Sequence, residues 1–196
     1  MKPLVVFLAL FLLGGCATLP PSNPNNLCSI FSEKEDWFDA ASQAARRWGA
    51  PLPILMAIIH QESRFVEDAQ PSRVRFLGIP LWRPSSAYGY GQAKDETWDW
   101  YQTRTGNSGA DRDEFGDAVD FVAWYMHQSF LKLKIPKTDA YNHYLAYHEG
   151  QAGYARGAWR NKPWLRGVAR KVAAQSERYA EQMRTCQAGA MRSAGS

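Results

Sequence analysis

Apolar positions recur every three or four residues over most of this chain, the period of an α-helix with one face turned inward. Phe115, Val119, Val122 and Met126 carry the clearest run and predict a helix over about 113–133. Leu165, Val168, Val172 and Tyr179 repeat the pattern and predict a last helix over about 163–186. Ser32 and Glu35 have the spacing of a capping box, ahead of an alanine-rich stretch closed by Gly49 and Pro51. Pro53, in a favoured first-turn position, opens a helix that runs to about Arg64. Asp95 is placed to cap a short helix carrying Trp98 and Trp100, and Asp139 another that Gly150 ends. Between these, Pro71, Pro80 and Pro84 break the period, so 66–86 reads as irregular. There is no internal repeat, and 196 residues suit one core. The expectation is a mainly α protein, a single helical domain with little or no sheet.

One polar residue sits inside an apolar stripe. On a helical wheel Glu62 shares a face with Leu55, Ile58 and Ile59, being seven, four and three residues away from them. Burying a lone carboxylate is costly, and the usual outcome is a raised pKa and a protonated acid. A carboxylic acid kept neutral near pH 7 beside irregular chain suits general acid catalysis. The alternative is a structural glutamate satisfied by an arginine, Arg64 or Arg73.

The two ends change the picture. The first 15 residues hold Lys2, a short apolar run and small residues, the layout of a bacterial secretory signal. The run Leu-Gly-Gly-Cys ending at Cys16 resembles the lipobox of bacterial lipoproteins, which implies lipidation of Cys16; an ordinary signal peptide or anchor that happens to hold a cysteine is the alternative. Ala17 follows that cysteine, which by enterobacterial sorting rules favours the periplasmic side of the outer membrane. The proline- and asparagine-rich residues 16–27 read as a tether and 28–188 as the folded domain, with 189–196 a disordered tail. Export places Cys28 and Cys186 in an oxidising compartment, where a disulfide would pin the first helix to the last; two unrelated thiols are the alternative. The net charge of +4 is spread along the chain, which suits an anionic partner such as cell-wall polymer and gives no nucleic-acid signal. No metal-ligand cluster is visible.

Two further segments carry chemistry. Residues 87–98, Ala-Tyr-Gly-Tyr-Gly-Gln-Ala-Lys-Asp-Glu-Thr-Trp, place Gly89 and Gly91 where backbone can approach a ligand, and Gln92 offers an amide with donors and an acceptor. Residues 145–154 include Tyr147, whose hydroxyl can orient a buried acid, followed by His148 and Glu149. With 8 Trp and 9 Tyr the chain has flat faces suited to sugar rings, although most aromatics belong to a core.

Glu62-Ser63-Arg64-Phe65, the glycine–glutamine stretch at 87–92 and Ala146-Tyr147-His148-Glu149-Gly150 resemble, in order, the three motifs of soluble lytic transglycosylases, glycoside hydrolase family 23, related in fold to goose-type lysozyme. The resemblance covers about 53–154 and implies a lysozyme-like helical domain. It implies Glu62 as the catalytic acid, Ser63, Tyr88, Gly89, Tyr90, Gly91, Gln92, His148 and Glu149 as substrate contacts, and Tyr147 as the residue that positions the acid. The sequence departs from the family at His148, which stands where asparagine is usual, and in lacking the pocket methionine of the glutamine motif.

What the resemblance implies is cleavage of peptidoglycan glycan strands between N-acetylmuramic acid and N-acetylglucosamine, with a 1,6-anhydro ring formed on the muramic acid. Neither metal nor cofactor is implied, and the expected partners are the glycan strands and, through the lipid, a membrane, with the protein a monomer. Two alternatives stay open. One is a muramidase that admits water, for which Glu149 would be the second carboxylate unless it is an exposed helix-end charge or a partner of Arg156. The other is a non-catalytic lipoprotein that binds glycan or scaffolds an assembly.

Overall fold

The computed structural model describes residues 18–76 and 79–193, and these form a mainly helical domain. Its helices are α1 (Leu27–Glu33), α2 (Glu35–Trp48), α3 (Leu52–Ser63), α4 (Asp95–Thr105), α5 (Phe115–Leu133), α6 (Ala140–Ala155) and α7 (Pro163–Ser193), with a 3-10 turn at Ala158–Asn161. The only sheet among the described residues is a hairpin of two-residue strands, β1 (Arg75–Phe76) and β2 (Ile79–Pro80), inside the stretch read as irregular. The signal segment and Cys16, with its expected lipidation, lie outside the described residues.

The core is built around α5. Phe115, Val119, Val122 and Met126 are buried as their period predicts. Phe121, Ala123 and Trp124 are buried too, so the helix is enclosed on nearly every side. α2 packs along it through Trp37, whose indole stacks on Phe115 at 3.9 Å. α3 lies between α5 and α7, with all residues from Ile54 to Ile59 buried. Removing side chains the size of Leu55, Ile58 and Ile59 from water contributes about 1.5–3 kcal/mol each, which holds α3 rigidly enough to present its last turn.

Several boundaries differ from expectation. Ser32 and Glu35 make no capping box: Ser32 belongs to the extra helix α1, and the chain breaks at Lys34 before α2 begins. α1 is capped instead by Asn26, whose side chain accepts from the Ser29 N–H at 3.0 Å. Asp139 caps α6 as predicted, accepting from Asn142 N–H at 3.0 Å. Gly150 does not end that helix; it bends it, with φ 72° and ψ 154°, and the helix resumes to Ala155. α7 continues beyond Cys186 to Ser193, into the part expected to be a tail.

The stretch expected to be a free tether is partly laid on the domain. Pro21 and Leu27 are buried, the Pro24 carbonyl accepts from the Tyr179 hydroxyl, and Gln182 of α7 bonds both the Leu27 N–H and the Asn25 carbonyl. Beside them Cys28 and Cys186 meet with Cα atoms 6.0 Å apart, paired as a disulfide. Non-reducing peptide mapping of exported protein is expected to recover these two cysteines linked. Cys28→Ser should lower stability by up to about 4–5 kcal/mol on the chain-entropy model, read as a lower Tm. Two free thiols in such protein would contradict the pairing.

Candidate active site

Glu62 stands in the last turn of α3, and the chain reverses immediately after it. Arg64 and Phe65 both take left-handed backbone, with φ 54° and 63°. Two consecutive non-glycine residues in that region cost about 1–2 kcal/mol each, and local packing offsets it. Phe65 is fully buried, stacked on His60 at 5.5 Å and tilted against Trp37 at 5.7 Å. The Ser63 hydroxyl accepts from the Phe65 N–H at 3.1 Å and donates to the Ile59 carbonyl at 3.3 Å. Ser63, expected at the substrate, is therefore a buried brace of the turn that aims Glu62.

Glu62 borders a cavity of about 390 Å³ whose walls also include Gln92, Ala93, Lys94, Thr97, Phe121, Tyr125, Tyr147, His148, Glu149 and Gly150. The residue as a whole keeps partial exposure toward this space, but Oε1 is sealed from solvent and has no hydrogen-bond partner among the described residues. No salt bridge among the described residues involves it, so neither Arg64 nor Arg73 satisfies the carboxyl. Burial pushes its pKa up from 4.5 to about 7, and the neighbouring Tyr144 hydroxyl opposes this more weakly.

The loop after Tyr88 forms the facing wall. A Cβ at Gly89 would lie 2.0 Å from the Arg112 carbonyl oxygen, and φ is +76°, so only glycine fits. The next residue, Tyr90, swings inward: its ring packs edge-on against Trp37 and Phe115, each at 5.5 Å, and is 1% exposed. Tyr90, expected as a substrate contact, is a core residue, because successive side chains of so tight a loop point to opposite sides. Tyr88 donates its hydroxyl to Asp113 at 2.8 Å, a bond that, with burial, pushes its pKa up to about 12. Gln92, at φ 50°, reaches the cavity, but its Nε2 donates to the Ala69 and Gly89 carbonyls at 2.7 and 2.9 Å. That leaves the amide oxygen as the end available to a ligand.

Tyr147 lines the cavity and donates to the Gly91 carbonyl at 2.5 Å, not to Glu62. Burial first, and the Glu62 charge next, hold its phenol well above the ordinary range. It thus locks the glycine loop against the α6 wall beside the acid. Tyr144, one turn earlier on α6, is the phenol that acts on the Glu62 carboxyl. No motif singled it out, although its spacing of three from Tyr147 puts it on the same helix face.

His148 and Glu149 reach the cavity at the α6 kink. Glu149 is neither exposed nor paired with Arg156; its side chain is 5% exposed and accepts from Lys162 at 2.7 and 3.0 Å, with His148 at 3.4 Å. Burial raises its pKa, but Lys162 and His148 outweigh this and leave it below the usual carboxylate range. The two carboxyls of the cavity are therefore driven in opposite directions. Lys162 and the wall residues Lys94, Thr97, Phe121 and Tyr125 were not among the sequence candidates, since only tertiary packing brings them to Glu62.

A helical, lysozyme-like domain with one dry, protonatable carboxyl on the wall of a polar cleft is the layout of a single-acid enzyme. The chain belongs to the transglycosylase SLT domain family, whose model matches residues 4–186. None of the curated proteins compared with it matches the chain. Membership indicates a lytic-transglycosylase-type enzyme that acts on peptidoglycan and binds its glycan strands.

The raised pKa of Glu62 makes stability depend on pH. Below about 4.5 the carboxyl is protonated folded and unfolded, and its burial carries no ionisation penalty; as pH rises to about 7 stability is lost, then stays level. Glu62→Gln should therefore be more stable than the parent at pH 8 by up to about 3 kcal/mol and no more stable at pH 4. Urea unfolding at the two pH values measures this, and an equal difference at both would refute the dry carboxyl.

Proposed function

We propose that this protein cleaves the β-1,4 bond between N-acetylmuramic acid and N-acetylglucosamine as a family 23 lytic transglycosylase, releasing 1,6-anhydro-N-acetylmuramic acid ends. The observation that carries this reading is the asymmetry of the two carboxyls bordering the cavity. Glu62 is held protonated near neutral pH, whereas Glu149 is neutralised by Lys162. A proton on Glu62 passes to the bridging oxygen as the bond from the muramic C1 breaks, and the substrate's acetamido group shields the cation that develops. Glu62, now a carboxylate, takes the proton of the sugar 6-hydroxyl as that oxygen closes on C1. An intramolecular hydroxyl needs no second carboxylate to activate it, and well-oriented intramolecular attack has a large effective concentration. The Gln92 amide oxygen and the exposed edge of His148 are the contacts that would orient the glycan.

The muramidase reading needs a free second carboxylate, and the ion pair of Glu149 with Lys162 weighs against it. The scaffold reading needs no buried acid without a charged partner. We assign the chain to the periplasmic side of the outer membrane, lipid-anchored through Cys16, on the lipobox-like segment and the cysteine pair.

Glu62→Gln should keep the fold and lower glycan cleavage by at least about 100-fold, the lower end of what a general acid contributes. Mass spectrometry of the released muropeptides should find ends lighter by one water than reducing sugars, and Glu149→Gln should still yield them. Mainly reducing ends, lost in Glu149→Gln, would replace this reading with a two-carboxylate hydrolase. Cleavage should also fall as pH rises through about 7 and Glu62 loses its proton.

A further inference from the structure

α3 has a second working face. Its period sets Ala57 and His60 on the side away from Glu62, and with Arg64 of the turn after the helix they line a cavity of about 240 Å³ shared with Lys171, Gln175 and Arg178 of α7. Asn25, at the entry of the chain into the domain, closes one end. The lining includes three cations and no acidic residue. Among the described residues, none of Arg64, Lys171 and Arg178 enters a salt bridge.

The uncharged groups agree with the charges. Gln175 is 5% exposed, its Oε1 accepts from Arg178, and its Nε2 donor has no partner. His60, with Nδ1 3.2 Å from the Tyr179 hydroxyl, is held below the ordinary histidine range by burial and by the charges of Arg64 and Arg178. Like charges around one concave space repel one another and draw in an anion. Guanidinium groups and an ammonium together match the several oxygens of a phosphate.

We infer that this pocket between α3 and α7 binds a phosphate-class oxyanion, either free or as the phosphoester of a lipid headgroup. Arg64, Lys171 and Arg178 contact its oxygens, and it supplies the acceptor that Gln175 lacks. The site lies behind the cleft and contains none of the residues assigned to cleavage.

The test is a titration of the whole protein with inorganic phosphate at constant ionic strength, followed on the His60 ring resonances. A saturable shift with Kd on the order of 1–10 mM is expected, accompanied by a rise in the His60 pKa as the anion offsets Arg64 and Arg178. Lys171→Ala/Arg178→Ala should weaken binding by at least about tenfold, since each removes a charge-assisted hydrogen bond. That variant should retain Glu62-dependent cleavage, which serves as the check on its fold. No saturation, equal binding by the variant, or the same shifts from acetate would overturn the proposal, the last by showing only charge screening. Sedimentation with phosphatidylglycerol vesicles distinguishes the sources. Binding that phosphate competes away, and that the variant loses, assigns the lipid headgroup; saturable phosphate binding with no vesicle binding assigns a free phosphate.

Discussion

Keeping one carboxyl largely out of water and away from any charged partner is the constraint on which the site is built. An unpaired ionised carboxylate is unfavourable in such a place, and the proton that relieves it is the one chemistry requires. The architecture serves this exclusion. α3 is enclosed by apolar neighbours almost to its end, and the left-handed pair at Arg64 and Phe65 turns the chain away before it can reach back over Glu62. The left-handed turn at Arg64 leaves its guanidinium on the cavity between α3 and α7, so the nearest cation in sequence is withheld from the acid. Tyr147 fastens the glycine loop at Gly91, and the phenols of Tyr144 and Tyr147 border the carboxyl in place of charges.

The same cavity treats its second carboxyl in the reverse manner. Glu149 sits immediately before the bend at Gly150 in α6, where Lys162, thirteen residues on, folds back across the 3-10 turn to meet it. One carboxyl is held neutral by lack of partners and the other ionised by excess of them, and that separation assigns different work to chemically identical groups. The Lys162–Glu149–His148 cluster fixes the mouth of the cleft, with His148 edge-on to Trp164 at 5.2 Å.

What could be read from the sequence was what periodicity encodes. α5, α3 and the inward residues of α7 follow from spacing, and so does the direction of Glu62, because a wheel argument concerns one helix alone. Other features depend on contacts distant in sequence. α1 has too few apolar positions to announce itself, and Leu27 and Ile30 become core only because α7 lies over them. The capping-box pattern at Ser32 is real as a pattern, but Lys34 breaks the backbone inside it. In the motifs, adjacency in sequence proved a poor guide to adjacency at the site. Ser63 faces the backbone and Tyr90 the core while their neighbours Glu62 and Gln92 face the cavity. Which oxygen Tyr147 bonds, and which cation Glu149 meets, are decided by the approach of separate elements.

The seam where the chain enters the domain also has a mechanical meaning. Asn25 and Leu27 are clasped by Gln182, Pro24 by Tyr179, and Cys28 is joined to Cys186. A pull applied to the N-terminal end therefore meets α7 at Tyr179, Gln182 and Cys186 before α1 can peel from the domain. Tyr179 also meets His60 of α3, so a load on this seam is shared between α7 and the helix that carries Glu62.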